Sequence, residues 1–323
     1  MVGLVLRRVG QAALIVFLVT TLTFVLLRVA PGDPFTATVE HPLIAEETRE
    51  QWRAAAGLDR PIAEQYIRYL ANVARGDFGP SFSKGRPVSE ELASAVPNTL
   101  LLMLAALVAS FVLGVALGVF QAVRRGSIAD RAIGGVALFF YSMPDFWLAL
   151  MVLLLFAYRL GLFPVGGMLN PWSYEYYDIW GRIANRLHHL ALPAGTLTLL
   201  SAAAIARYQR SAVLDVARQD YVRTARAKGV SERRVVTRHI LRNALLPVIT
   251  LLGLAFPALL GGAVFVEKVF AWPGMGRLAV EAIGTRDYHL VTATVIIAGV
   301  MVSIGSLLAD LLYAAVDPRL RET

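Results

Sequence analysis

Six long apolar runs constrain the fold of this chain more than any other feature of its sequence. They cover approximately residues 9–27, 99–123, 132–158, 190–206, 244–266 and 290–309. A helix needs about 20 predominantly apolar residues to cross the hydrocarbon core of a bilayer. Because lipid offers the backbone no hydrogen-bond partners, runs of this length cross it as helices. The sequence therefore predicts an all-α integral membrane protein with six transmembrane helices.

The composition supports this class over a soluble one. Charged residues make up 17% of the chain and apolar residues 57%, whereas about a quarter of a soluble domain is charged. The net charge of +8 could indicate nucleic-acid binding. The basic residues lie largely in short segments on one side of the spans, so topology explains them better and no nucleic-acid partner is expected. The absence of cysteine excludes disulfides and thiolate metal sites, and no metal site is predicted.

The distribution of basic residues predicts the orientation of the chain. An even number of spans puts both termini on one side. Arg7, Arg8, the loop 124–131 and the long loop 207–243 all fall on that side. Excess Lys and Arg mark the cytoplasmic face, so both termini are predicted to be cytoplasmic. The first run lacks a small-residue cleavage pattern, which favours a retained span over a signal peptide.

The spans and loops together predict the organisation of the chain. Residues 31–97 form the longest segment outside the membrane, and the amphipathic stretch 63–75 within it favours a folded external insertion. The predicted parts are a first transmembrane helix with a cytoplasmic tail (1–30), the external insertion (31–97), a five-helix core (98–313) that includes the loop 207–243, and a cytoplasmic tail (314–323).

The loop 207–243 carries its own helix start and stop signals. Nine Lys or Arg and only three acids lie within residues 210–242. Residues 211–228 lack Pro and Gly and favour a helix, which Gly229 can end in the left-handed conformation. Ser231 can then cap a second helix, with Glu232 in its first turn. These signals predict a helix–turn–helix elbow.

One face of this elbow is a candidate docking surface. Tyr221, Ala225 and Gly229 recur at four-residue spacing, with Thr224 and Lys228 beside them. A small face with one aromatic side chain suits insertion into a groove on a partner protein. The alternative is an amphipathic helix that rests on anionic lipid, and periodicity does not decide between the two.

The third apolar run contains a carboxylate. Asp145 costs roughly 2.5–3.5 kcal/mol at the centre of a span, but the many Leu, Ile, Val and Phe of the run outweigh that cost at about −0.3 to −0.6 kcal/mol each. Pro144 precedes it and predicts a kink. With Trp147, these residues are candidates to line a substrate pathway. The alternative is a carboxylate that snorkels toward the membrane surface or pairs with a neighbouring helix.

Motifs along the whole chain resemble one family of membrane proteins. The loop DYVRTARAKGVSERRVVTRHILRNALLP (220–247) resembles the coupling loop, or EAA loop, of ABC-transporter permeases, in particular the dipeptide, oligopeptide and nickel subfamily. Further matching strings are PGDP (31–34), GDFGPSF (76–82), SMPDFWLAL (142–150), WPGMG (272–276), DYHLV (287–291) and DPRL (317–320). The family's general Glu-Ala-Ala aligns with Arg223, Thr224 and Ala225, so its glutamate is absent here and Asp220 is a substitute candidate.

The resemblance implies a permease subunit of a binding-protein-dependent importer in the bacterial inner membrane. Expected partners are a second homologous permease, two cytoplasmic ATPases, an external substrate-binding protein and membrane lipid. The chain has no GxxxxGK[ST] phosphate-binding loop, so it is not expected to be an enzyme. ATP and magnesium should bind the partner ATPases.

Contact with those ATPases is predicted for Asp220, Tyr221, Thr224, Ala225, Lys228 and Gly229. Peptides are the expected cargo, with nickel chelates, glutathione and oligosaccharides as alternatives. An ion-coupled secondary carrier is the rival class, although Asp145 is the one clear charge within a span and no inverted repeat is visible.

Overall fold

The computed structural model describes residues 2–29, 60–249 and 263–316. In chain order the helices are α1 (Val2–Val29), α2 (Ile62–Ala74), α3 (Val88–Val123), α4 (Ile128–Tyr141), α5 (Asp145–Val152), α6 (Ile179–Val216), α7 (Asp220–Ala227), α8 (Glu232–Arg234), α9 (Leu241–Ala244), α10 (Met275–Gly284) and α11 (Tyr288–Val316). Two π-helical stretches, Leu153–Arg159 and Val235–Ile240, continue α5 and α8. Within these described ranges the regular structure is helical, apart from one isolated bridge between Pro80 and Pro87.

Among the residues that the structure describes, four helices are long and apolar enough to cross a membrane, and a bent pair adds a fifth candidate. The four are α1, α3, α6 and α11, and the pair is α4 with α5. These elements confirm five of the predicted runs as helical. The remaining run, 244–266, overlaps residues 250–262 and so lies partly outside the described residues. The strings at 31–34 and 317–320 also lie outside them.

Two helices extend well beyond the apolar runs that predicted them. Helix α3 begins at Val88, eleven residues before the predicted span at 99. Helix α6 has 38 residues, about 57 Å at 1.5 Å per residue, whereas residues 190–206 were predicted to span. Hydropathy detects only the apolar part of a helix that can lie in lipid, so it misses polar turns at the helix ends.

The described residues divide into two compact units. One contains Leu100–Trp272 and Val302–Thr323, and the other contains Val2–Thr99 and Pro273–Met301. In the first unit, α3 lies against α6 at two glycines. A Cβ on Gly114 would lie 2.6 Å from Ile205 Cβ, and one on Gly118 would lie 2.6 Å from the backbone oxygen of Ala206. The Gly-x-x-x-Gly spacing lets the two backbones approach closely.

A bidentate ion pair joins α4 to α6 in the same unit. Arg210 donates from Nε and Nη2 to the two carboxylate oxygens of Asp130, both at 2.9 Å. The N–H of Gly126 and the side chain of Gln121 also donate to Asp130. Asp130 is buried, so the charge-assisted bonds compensate for the loss of water around it.

The second unit has its own apolar core. Its buried members come from α3, α10 and α11 and are Val88, Leu92, Ala95, Met275, Leu278, Ala282, Leu290 and Ala293. Thr99 accepts the backbone N–H of Met275 at 2.7 Å, and Asn98 donates to the Pro273 carbonyl at 2.8 Å. These two bonds attach the start of α10 to α3.

Candidate functional site

The elbow has the turn that the sequence predicts at Gly229. This glycine has φ +75°. Its N–H bonds to the Arg226 carbonyl at 2.9 Å, and the Val230 N–H bonds to the Ala225 carbonyl at 3.3 Å. Together these bonds form a Schellman motif, in which a left-handed residue closes the helix C-terminus. The prediction of a left-handed glycine between two helices is confirmed.

The helix before the turn differs from the prediction. Residues 211–228 were predicted as one helix, but α6 ends at Val216 and α7 begins at Asp220 after Gln219 takes an extended conformation. The break lies between two helices that both contribute to one apolar cluster, so packing rather than propensity decides where α6 stops. The elbow therefore includes a second corner at residues 217–219.

The elbow has an apolar core of its own. The buried residues are Ala122, Val213, Val222, Ala225, Val235, Ile240 and Ala244. Val222 and Val235 are fully buried, and they lie on opposite sides of the Gly229 turn. The turn is thus held by side-chain packing as well as by backbone bonds.

This core changes the composition of the predicted docking face. Ala225 is only 7% exposed and packs inside the elbow, so it is not available on the open surface. Asp220, Tyr221, Thr224 and Lys228 are exposed. The Tyr221 hydroxyl accepts a bond of 2.8 Å from Asn243, which holds the ring beside α9. We call the helical segment after the turn, residues 232–244, the return helix. We define these four exposed residues as the open face of the elbow.

A charged clamp spans the turn. Arg226 donates to both carboxylate oxygens of Glu232, at 3.1 and 2.7 Å. These bonds hold the pKa of Glu232 below its usual range. Ser231 stands at the predicted N-cap position, but its side chain makes no capping bond. The clamp therefore stabilises the start of α8, where a serine cap was predicted.

The predicted kink in the third apolar run is present. Helices α4 and α5 meet at a bend of 107°, and Pro144 occupies the N-cap of α5 with Asp145 as its first residue. Asp145 is partly buried and Trp147 is 42% exposed. A carboxylate at a helix N-terminus is favoured by the helix dipole, which lowers its cost in this position.

Two of the family-like strings meet in the second unit. Asp287, in DYHLV, accepts from the Ser81 hydroxyl at 2.6 Å and from the Ser83 N–H and hydroxyl, both at 2.9 Å. Its other oxygen accepts the Leu290 N–H at 3.1 Å. His289 bonds to the Pro80 carbonyl and stacks on Phe82. The hairpin that begins with GDFGPSF is thereby attached to the start of α11.

Replacing Asp287 by alanine should release this hairpin. Asp287 is 1% exposed, and its loss would leave three hairpin donors without their acceptor, at a cost of about 2–4 kcal/mol. We expect faster amide exchange and proteolysis across residues 77–87. Asp77→Ala in the same hairpin is the matched control, because Asp77 is exposed and, among the described residues, accepts the Gly79 N–H alone. Equal protection in Asp287→Ala and the wild-type chain would contradict this role.

The hairpin should also loosen in acid. Lys84 of the hairpin donates to Glu281 in α10 at 3.1 Å. Burial opposes ionisation of Glu281, but hydrogen bonds from Arg277 and Lys84 outweigh this effect and leave the pKa of Glu281 below its usual range. A lowered pKa stabilises the fold above the unfolded value of about 4.3, and this contribution disappears as pH falls through the folded value. Protection of residues 77–87 should therefore decline below about pH 4.3 by roughly 1 kcal/mol or less. Glu281→Gln should flatten that decline, and an unchanged profile in the variant would refute the assignment.

No group of three or more His, Cys, Asp or Glu with metal-binding geometry occurs in the described part of the chain. The geometry of this part is instead that of a helical membrane component with a folded elbow between two of its helices. The elbow presents its open face on the surface of this component.

Comparison with known proteins identifies that class. The chain matches the family of binding-protein-dependent transport system inner membrane components over residues 114–322, and the N-terminal family of the same membrane components over residues 1–103. The chain belongs to this family. It is a multi-pass inner-membrane component of a binding-protein-dependent transport system, and it is not an enzyme by itself.

Individual relatives align over nearly the whole chain. The oligopeptide transport system permease protein AppB of Bacillus subtilis is 43% identical, with 99% of each chain covered. The dipeptide transport system permease protein DppB of Escherichia coli is 39% identical, again with 99% of each covered. Among solved structures, an inward-facing MetNI methionine ABC transporter has a TM-score of 0.56 at 21% identity, covering 70% of this chain and 96% of that chain. That last likeness concerns the fold alone.

Several important contacts escaped the sequence analysis. The pair Asp130–Arg210 joins residues 80 positions apart, and Ser81–Asp287 joins residues 206 positions apart. No local pattern connects such residues. The Gly-x-x-x-Gly spacing of Gly114 and Gly118, by contrast, was a readable signal for close helix packing.

Proposed function

We propose that this chain is one of two permease subunits of an ATP-driven importer of short peptides. Relatives at 39–43% identity over the full length are named as dipeptide and oligopeptide permeases. The second permease, the two ATPases and the external binding protein would be separate chains. ATP and magnesium would bind the ATPases.

The single observation that carries the coupling part of this proposal is the two-sided elbow. One side packs as a core around Val222 and Val235, and the other side presents the open face. Because the elbow is packed on its inner side, a push on the open face would be transmitted to α6 instead of being absorbed locally. Such coupling requires nucleotide and substrate to favour different states of the complex.

The proposed orientation follows from the positive-inside rule. Both termini and the loop 207–243 would lie in the cytoplasm and residues 31–97 outside, with 98–313 as the helical core. The chain has no cysteine, so single cysteines can report the side directly. A membrane-impermeant thiol reagent should label Arg75→Cys in intact cells and Arg234→Cys only after permeabilisation, and the reverse pattern would invert the orientation.

The proposed pathway involves the bend between α4 and α5. Pro144, Asp145 and Trp147 lie at or beside this break, where a spanning helix is interrupted. Irregular backbone at membrane depth is tolerated where it is buried in protein or lines a cavity. Asp145→Asn should lower peptide uptake without changing membrane abundance if this bend lines the route.

A matched pair of threonines tests the coupling proposal. Thr224 on the open face and Thr237 on the return helix are both exposed, and each hydroxyl donates to the carbonyl four residues earlier at 2.9 Å. Thr224→Trp should obstruct an ATPase at the open face and reduce peptide-stimulated ATP hydrolysis at least tenfold in reconstituted vesicles. Thr237→Trp should retain most activity. Equal activity of the two variants would remove the open face from the coupling interface.

The same vesicles test the transport class. Peptide uptake should require ATP and the co-reconstituted ATPases, and it should persist after collapse of the proton gradient. Uptake by the chain without ATPases, driven by an ion gradient, would favour a secondary carrier instead.

A further inference from the structure

A cavity of about 840 Å³ lies beside α4 and α6, and none of its lining residues belongs to the open face of the elbow. It is lined by both helices, with Gln121 contributed by α3. A volume of this size is ample for a small molecule or for part of a larger amphiphile. All of its lining residues belong to the first of the two units.

The cavity wall carries uncompensated positive charge. Three arginines and one aspartate line it, which is a net formal charge of +2. The aspartate, Asp130, is engaged by Arg210 through two bonds. Arg131 and Arg207 are exposed and have no carboxylate partner among the residues that the structure describes. Two guanidinium groups are therefore available to an anion, and their planar donors suit phosphate and carboxylate oxygens.

The cavity is polar at one end and apolar at the other. The ion pair places the start of α4 beside the end of α6, so the polar end contains Arg131, Arg207 and Ser211. Farther along α4 the wall is formed by Ala137 and Leu138, and the corresponding residues of α6 are Ala203 and Ala204. Both helices thus change from cationic to apolar in the same direction.

This gradient matches the shape and chemistry of a bilayer lipid. A phospholipid has an anionic headgroup at the membrane surface and acyl chains toward the bilayer centre. Basic pockets between transmembrane helices bind anionic headgroups. We propose that this cavity binds one anionic phospholipid, with its phosphate between Arg131 and Arg207 and an acyl chain along Leu138 and Ala204.

Charge and position both favour a lipid over a soluble anion. A free phosphate would use the arginines but would leave the apolar half of the cavity unoccupied. An acyl chain fills that half and is stabilised by the burial of each of its CH₂ groups. The lipid would also bridge α4 and α6 next to the Asp130–Arg210 pair, where these helices already meet.

The proposal can be tested on the full-length chain by native mass spectrometry. The protein would be titrated with phosphatidylglycerol or phosphatidylcholine in a neutral detergent. We expect one phosphatidylglycerol per chain to be retained in preference to phosphatidylcholine. In Arg131→Gln/Arg207→Gln the dissociation constant for phosphatidylglycerol should rise about thirtyfold, since each basic residue near a headgroup contributes about 1 kcal/mol.

A second pair of arginines provides the matched control. Arg124 and Arg125 lie just before α4, close in sequence to Arg131, and neither lines the cavity. Arg124→Gln/Arg125→Gln removes the same charge and should leave lipid retention unchanged. If it weakens binding as much as Arg131→Gln/Arg207→Gln does, the attraction is a general surface effect and the specific site is refuted.

Filling the apolar half separates a lipid from a soluble anion. Ala204→Phe keeps all three arginines and should still abolish phosphatidylglycerol retention. Unchanged retention in Ala204→Phe, or equally tight binding of glycerol phosphate, would overturn the lipid assignment. Competitive displacement of the lipid by a short peptide would assign the cavity to cargo. Loss of binding to the second permease in Arg131→Gln/Arg207→Gln, with lipid retention intact, would assign it to a subunit interface.

Discussion

Gly118→Leu should prevent α3 and α6 from packing and should remove most folded protein from the membrane. Even a Cβ at this position would lie 2.6 Å from the Ala206 carbonyl oxygen and 2.7 Å from Gln209 Cβ. The first of these contacts is with backbone, which cannot rotate away. The two helices would have to separate along their length, and overpacking of this kind costs about 1–3 kcal/mol or more.

Two matched glycine-to-alanine substitutions should differ in the direction of their effect on stability. In a helix interior, alanine is favoured over glycine by about 1 kcal/mol. A Cβ added to Gly135 in α4 would meet nothing within 4 Å, so Gly135→Ala should be neutral or stabilising. Gly118→Ala should be destabilising despite the same gain in helix propensity. Thermal unfolding in detergent would measure both, and equal shifts in the two variants would show that the contact at Gly118 is unimportant.

Gly229→Val should uncouple transport from ATP hydrolysis while the chain still inserts into the membrane. At φ +75° a Cβ would approach the following carbonyl, at a cost of about 1–2 kcal/mol for an ordinary residue and more for a β-branched one. The surrounding space is open, with nothing within 4 Å of that Cβ. The defect would therefore come from the backbone conformation alone. It should displace α7 and the open face of the elbow.

Asparagine at the same position distinguishes conformation from side-chain size. Asn tolerates the left-handed region much better than valine does. Gly229→Asn should therefore retain most peptide-stimulated ATP hydrolysis in reconstituted vesicles, whereas Gly229→Val should lose at least nine-tenths of it. Membrane abundance of both variants is the control. Normal coupling in Gly229→Val would mean that the Schellman turn is dispensable for transport.

The elbow shows how far local signals reach in this chain. The left-handed turn at Gly229 depends on bonds between residues at most five positions apart, from Val230 to Ala225, so the sequence predicted it correctly. Ala225 is buried in a cluster that includes Val235, Ile240 and Ala244 from beyond the turn. Periodicity placed Ala225 and Tyr221 on one face, but it could not show that the return helix covers Ala225 and leaves Tyr221 partly exposed.

The same distinction between local signals and long-range contacts applies to the kink at Pro144 and to the side-chain contacts within each unit. Pro144 predicted a kink, because proline disrupts its own helix regardless of distant contacts. The pairing of Asp130 with Arg210 and of Asp287 with Ser81 depends on how separate helices and loops come together. The cavity beside α4 and α6 also depends on distant contacts. Each of its halves, cationic and apolar, combines residues of α4 with residues of α6 about 70 positions away.

By itself, the sequence determined the membrane class, most of the helical spans and the turn at Gly229. Lipid offers the polar backbone no hydrogen-bond partners, so a long apolar segment crosses it as a helix. A left-handed glycine is a local requirement of a helix end. Only the tertiary structure decided which face of the elbow is open, where α6 ends, and which charges are paired. Those outcomes depend on contacts between residues far apart in the chain, and no local pattern encodes them.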